Sequence, residues 1–396
     1  MIGGGSALTI FIPVAFGGLG LFLLLRSRPS FRPCSRIGLP SWVGICLTGL
    51  VSLAFLFRSL TQEGLGLDGE TIWTMKAKSI ERYGTFWNPD FMEPVRPHVH
   101  PQYPLLMPCV YAWVFRVTSP SEEIYVRLAM FLFFLASLAV VHGTLSERMG
   151  MSVASWCTAG YSLLPTLGNS LDGVLTAYCD YPLAVFAMIG AVRACSWLEG
   201  HRGAGALSAL ACCAAMTKDE GGAIVGLSAL VLAVMALRIG SWRKAAGGIA
   251  ILLPGLALFV LWTITKRGLL QEGPIVRFGS SVDVGHCFKV LLRLTSELCH
   301  TRRWNVLWMA IAVLLVTRHP RLKDPSSFLP LLGLCMLGVY LVVWTGTTDR
   351  RWMEGNEHRL LLHLGPLCFV WMAWRLGQHL DGLSSTKEGS PSSGEQ

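Results

Sequence analysis

The sequence predicts an all-α fold, a polytopic transmembrane helical bundle of about eleven spans, and three observations carry that reading. Apolar runs of near-membrane length recur along the whole chain. Only 14% of the 396 residues are charged against 52% hydrophobic, with a mean hydropathy of +0.51. The basic residues of the short connections fall on alternate loops. A soluble domain carries roughly 25% charged residues, and a soluble core this apolar would leave little polar chain to cover its surface.

A helix crosses a bilayer with roughly 17–25 apolar residues. The runs that reach or approach this length are 7–25, 41–58, 127–145, 151–167, 181–198, 203–217, 221–238, 246–264, 304–317, 327–344 and 359–377. The first follows MIGGGSA, which lacks the Lys or Arg of a secretory n-region, so a retained helix is expected there. The runs 203–217 and 304–317 are short. Arg26, Arg28, Arg32 and Arg36 occupy the first connection, and Arg148, Arg202, Arg238, Arg243, Lys244, Arg318, Arg321 and Lys323 occupy alternate later ones. The positive-inside bias makes that side cytoplasmic and turns loops 59–126, 168–180, 218–220, 265–303 and 345–358 outward. Residues 1–377 then form one transmembrane domain of a multi-pass cell (inner or plasma) membrane protein. The stretch 378–396, ending SSTKEGSPSSGEQ, reads as a disordered cytoplasmic tail.

The net charge of +9 reflects this loop bias first, with no call for a nucleic-acid partner. The long outward loops are themselves basic, with Lys76, Lys78, Arg82 and Arg96 in one and Lys266, Arg267, Arg277, Arg302 and Arg303 in another. Such a face suits either a bound phosphate or anionic lipid headgroups. The twelve cysteines lie mostly in apolar runs and show no CxxC or Cys/His ligand spacing, which argues against structural zinc.

The densest chemistry lies in 68–108, directly after a span. Carboxylates held at a membrane face beside cationic and aromatic groups suit work on a lipid-borne, phosphate-containing substrate. Asp68 and Glu70 are the leading catalytic pair. They point the same way only on an irregular backbone, which Gly69 favours, and one would serve as general base. Equally, they would cap a helix starting near Thr71. Lys76 and Lys78 follow on TIWTMKAKSIERYG, a helix closed by Gly84, where snorkelling is the simple alternative. Arg96, His98 and His100 sit in a Pro-punctuated loop without a third metal ligand at fitting spacing. YPLLMPCVYAWVFRV is too short to span and is expected along the outer interface, with Tyr103, Tyr111 and Trp113 at headgroup level. Asp180 in AYCDYPLA and Lys218-Asp219-Glu220 in AMTKDEGG stand at outer span ends. Packed ionisable groups there are functional by default, while exposed turns would simply solvate them. Arg359 opens the last run and adds a cation able to stabilise a phosphate leaving group.

LDGETIWTMKAKSIERYG followed by HPQYPLLMPCVYAWVF resembles the first outer loop of GT-C glycosyltransferases. The nearest group is the family-39-like bacterial enzymes related to protein O-mannosyltransferases and lipid A aminoarabinose transferases. CDYPLAVF, TKDEGG and HRLLLHLGP resemble three further motifs of that family in the same order, so the likeness spans most of 60–370. It implies a GT-C-like fold and transfer of a sugar from a polyprenyl-phosphate donor to an acceptor at the outer face, with inversion. It implies Asp68 as general base, with Glu70 as its rival because Gly69 separates acids that many relatives have adjacent. Asp180 would shape the acceptor side, and Lys218 and Arg359 would hold the donor phosphate. Lys76, His100, Tyr103 and Glu220 complete the donor and acceptor contacts expected. The acceptor class, whether lipid, glycan or protein, stays open. A divalent metal is optional in this class and no obligatory cofactor is expected. The rival readings are a transporter or lipid flippase and a non-catalytic scaffold. Against the first, there is no internal repeat and the polar residues crowd one outer loop. The second leaves 68–108 unexplained.

Overall fold

The computed structural model describes residues 38–86, 88, 100, 102–118, 122–169, 173–270, 283–317, 320–346 and 357–388, and among these there are helices and no strands. The helices are α1 (Leu39–Thr61), α2 (Met75–Tyr83), α3 (Leu106–Thr118), α4 (Glu123–Met149), α5 (Met151–Ser162), α6 (Asp180–Leu198), α7 (Ala204–Thr217), α8 (Asp219–Arg238), α9 (Trp242–Leu270), α10 (Val284–Leu298), α11 (Leu307–Thr317), α12 (Phe328–Gly346) and α13 (Glu357–Glu388). Seven helices in the described residues, α1, α4, α6, α8, α9, α12 and α13, are long and apolar enough to cross a membrane.

Ten of the eleven expected runs fall on these helices, while the run 7–25 and its following arginines lie outside the described residues. Three of the ten are shorter than a full span. The run 151–167 ends early because Leu164 is extended before Pro165, and a separate 3₁₀ turn, Pro165–Gly168, follows. α13 continues to Glu388, past residue 378 where composition placed the start of an irregular tail.

The burial pattern separates an inner from an outer set. α13 packs on α4, α6 and α12, and α6 packs on α7. Their shared core includes Tyr181, Met188, Leu361, Trp371 and Leu367, all essentially inaccessible. α1 and α9 instead expose Trp42, Leu50, Phe57, Leu253, Leu261 and Ile264. Stripes of that kind would be a liability in water and are the ordinary surface of a helix in lipid.

Polar side chains collect at two ends. At one, Arg148 at the end of α4 makes paired bonds of 2.8 and 2.7 Å to Glu199 after α6, and its guanidinium lies 3.7 Å over Trp374. Lys244 at the start of α9 donates to the Leu198 carbonyl, and Arg375 of α13 pairs with Asp324 at 3.0 Å. The other end gathers Asp68, Asp180, Lys218, Lys266 and Arg359. The short α5, α7 and α11 also link the two ends, although each falls below the length of a full span.

Candidate functional site

Two segments from opposite ends of a long sequence interval form the floor of the second cluster. Arg58 donates to the Gly168 carbonyl at 2.6 Å, and Arg127 donates to the carbonyls of Ser59 and Gly64 at 3.0 Å each. The first bond ties the end of α1 to the turn before α6, and the other two tie it to α4. Gly66 N–H then donates to the Thr176 carbonyl at 3.1 Å. A side chain at Gly66 would strike Thr176 and Tyr178, and one at Gly69 would strike the Thr176 carbonyl itself. The glycines therefore let 66–70 lie directly on 176–178, and Ala177 takes a left-handed φ of 61° to complete the turn. Gly69 serves this close approach; the backbone around it is helical, not extended. Asp68 has φ −67° and ψ −31°, and Gly69–Thr74 forms a π-helical turn leading into α2. Asp68 and Glu70 accordingly diverge. Asp68 turns to the cluster and Glu70 is solvent-exposed. Asp68 makes no side-chain capping bond to that turn, so the capping role is not what holds it.

Arg359, in the first turn of α13, bridges two carboxylates. Its Nη1 lies 2.6 Å from Asp68, while Nη2 and Nε donate to Asp180 Oδ2 at 2.8 and 3.2 Å. The guanidinium also lies 4.4 Å over the Tyr178 ring. Asp180 is wholly inaccessible, and its other oxygen accepts from Lys218 Nζ at 2.7 Å and from His363 Nε2 at 3.0 Å. His363 stands one turn beyond Arg359 on the same face of α13. A carboxylate only accepts, so Nε2 carries the proton; Nδ1 then faces the Tyr340 hydroxyl of α12 at 2.9 Å. Four helices, α6, α8, α12 and α13, thus meet through one aspartate.

Lys218 is the single extended residue between α7 and α8, with φ −158° and ψ 161°. The corner closes because Gly221 and Gly222 allow backbone to approach Ala214 and the Phe259 ring. Lys218 is buried, which favours the packed ionisable group over the solvated turn, and also contacts Glu220 at 3.2 Å. Burial works against its charge, but Asp180 and Glu220 more than offset it and hold the ammonium above the ordinary lysine range. Asp219 pairs with Lys266 of α9 at 2.8 Å. Cys179, directly before Asp180, is no nucleophile: burial pushes its thiol well above the usual range.

No protein-family model matches the chain, and no curated protein matches it either. The geometry of the site therefore stands on its own.

The remaining expected residues form an aromatic box beside this cluster. Lys76 is wholly buried and does not snorkel; Lys78, two residues on, is exposed. The Lys76 ammonium donates to the His100 carbonyl and lies 5.7 and 5.6 Å from the centres of Trp73 and Tyr103, which stack at 5.3 Å. His100 has a left-handed φ of 42°, and its Nδ1 faces Gln102 at 3.2 Å. Burial raises the Tyr103 hydroxyl's pKa, and Lys218 and Arg359 oppose that rise, so the box and the carboxylate cluster share one electrostatic field. Tyr111, expected at headgroup level, is instead buried and bonds to the Ala177 carbonyl at 3.3 Å, bracing the turn before Asp180. Arg96 and His98 lie outside the described residues.

The structure thus brings together Asp68, Asp180, Lys218, Glu220 and Arg359, sets Lys76, His100 and Tyr103 beside them, and leaves Glu70 outside. His363, Tyr340 and Tyr178 join the site although no motif pointed to them. Among the described residues no three His, Cys, Asp or Glu side chains are placed to hold a metal ion. Both oxygens of Asp180 are already taken by cations and an imidazole.

Proposed function

We propose that this chain is an integral-membrane glycosyltransferase of GT-C type with about eleven spans. It takes a sugar from a polyprenyl-phosphate donor at the outer face and passes it to an acceptor. The observation that carries the reading is the meeting of Asp68, Arg359, Asp180 and Lys218 from four segments at one end of the bundle. The resemblance assigns Asp68 to the base role, Lys218 and Arg359 to the donor phosphate and Asp180 to the acceptor side.

The acceptor's O–H or N–H gives its proton to Asp68 as its heteroatom attacks the anomeric carbon. The bond from that carbon to the phosphate oxygen breaks, and its electron pair leaves on the polyprenyl phosphate. Arg359 and Lys218 stabilise the charge that gathers there. Each has donors beyond those used on Asp180, and a phosphate entering would draw Arg359 from Asp68 and turn that carboxylate to the acceptor. Asp180, with His363 and Tyr340 behind it, holds both cations in place.

The test is release of free polyprenyl phosphate from a panel of polyprenyl-phosphate sugars by purified protein, wild type beside Asp68→Asn. Release that drops by about 10²-fold or more in the mutant is expected for a lost general base. Absence of release from every donor, with folded protein, sinks the reading in favour of a transporter or flippase.

A further inference from the structure

Between α9 and α11 the chain forms α10, which at 15 residues is too short to cross a bilayer. It lies across the end of the bundle that carries the carboxylate cluster. α9 ends there, where Lys266 pairs with Asp219. Near the start of α10, His286 Nε2 donates to the Trp344 carbonyl in the last turn of α12 at 3.0 Å. Further along, Arg293 approaches Glu357 at the start of α13 at 3.8 Å. In the last turn, Glu297 accepts from the Trp304 indole, just before α11, at 3.1 Å. The contacts along α10 thus all fall on helix ends at one face of the membrane domain.

Helical spacing divides its surface into three faces. Val290 and Leu294 are buried against the bundle. Val284, Phe288, Leu291 and Leu292 form an adjoining face and are exposed. Lys289, Arg293 and Ser296 form the third, also exposed. Neither pure medium suits the two outer faces. Water would leave four large apolar side chains uncovered side by side. Hydrocarbon would strip Lys289 and Arg293 of their hydration. The boundary satisfies both, with the apolar face toward the hydrocarbon and the cations among the headgroups. Charge then selects the headgroup. The two acids of this segment are engaged: Asp283 caps the first turn at the His286 N–H, and Glu297 turns to Arg303 and Trp304. Exposed Arg302 adds a third cation in the turn that follows, and an anionic lipid surface attracts each of the three.

We propose that α10 is an interfacial helix that binds an anionic lipid surface at the membrane face bearing the site. Acyl chains cover Val284, Phe288, Leu291 and Leu292, and headgroup phosphates meet Lys289 and Arg293. Glu357 stands two residues before Arg359, so the surface that α10 reads adjoins the carboxylate cluster.

The experiment is photocrosslinking of the full chain in lipid nanodiscs holding equal amounts of phosphatidylglycerol and phosphatidylcholine with the same acyl chains. Benzoylphenylalanine replaces Phe288, and the adducts are read by mass. Lipid adducts are expected, with phosphatidylglycerol several-fold over phosphatidylcholine. The same probe in place of Leu253, on the exposed side of α9, should take the two lipids equally. Lys289→Gln together with Arg293→Gln should keep the lipid adducts at 288 and lose the preference. Should that pair not fold, Lys289→Glu alone reads the same way. An adduct at 288 with a second copy of the chain, or no lipid adduct there, would overturn the proposal, as would equal use of the two lipids. The readout is lipid contact, so it stands or falls apart from sugar transfer.

Discussion

Asp180 and Asp68 share a guanidinium but differ in what their loss would cost. Asp68 is partly exposed and its pair with Arg359 is of the half-solvated kind, with side-chain accessibilities of 25% and 14%. Such pairs contribute about 0–1 kcal/mol, so Asp68→Asn is expected to melt close to wild type while losing turnover. Asp180→Asn leaves two cations facing a neutral group in a dry interior, a change that costs about 3–5 kcal/mol. Chemical denaturation should show that loss before any activity is read. Lys218 gives a signed pH prediction. Its folded pKa lies above the ordinary lysine value, so its contribution to stability is complete below about pH 10 and fades only above that. The melting difference between wild type and Lys218→Met should therefore stay level from about pH 6 to about pH 10. A difference that shrinks near neutrality would refute it. Asp180, Lys218 and Arg359 stood out in the sequence because ionisable side chains packed between spans are costly. His363 and Tyr340 did not, since LLLHLGP and LGVYLVV read as ordinary apolar helix. The available signal was that His363 stands four residues after Arg359, and so on its face.

At the scale of elements, the turn from Gly66 to Thr74 decides where Asp68 points. The sequence showed a helix closing at Gly84, and the left-handed φ of 69° there agrees. It did not show the π-helical turn. That turn is dictated by contact with Thr176–Tyr178, a segment more than a hundred residues away, and no local propensity encodes it. Gly69→Val would press a branched side chain on the Thr176 carbonyl. Overpacking of this kind costs about 1–3 kcal/mol, and it should reduce turnover as far as Asp68→Asn does because Asp68 is displaced. A Gly69→Val protein with wild-type turnover would show that the close approach is dispensable. The aromatic box follows the same logic. Lys76 reads as a snorkelling lysine from its neighbours, and the contacts of His100 and Tyr103 over α2 help to bury it.

Across the whole molecule, the two polar ends make a topological statement. Cysteines introduced at Gly84 and at Gly240, in a background without native cysteines, should react with an impermeant thiol reagent from opposite sides of sealed vesicles. Labelling of both from one side would mean that α5 or α7 fails to cross. The seven helices long and apolar enough to cross a membrane were readable from hydrophobic run length alone, since lipid rewards apolarity on every face of a helix. Run length could not show that α5 stops twelve residues in, because Pro165 acts through the backbone.

Synthesis order adds a consequence to the aspartate at the centre of the site. Asp68, Asp180 and Lys218 all leave the ribosome well before α13, which carries Arg359 and His363 together. Until that helix arrives, Asp180 keeps Lys218 but lacks Arg359 and His363, and Asp68 lacks Arg359. α13 is then a latch: its docking brings one guanidinium to both carboxylates and an imidazole to Asp180.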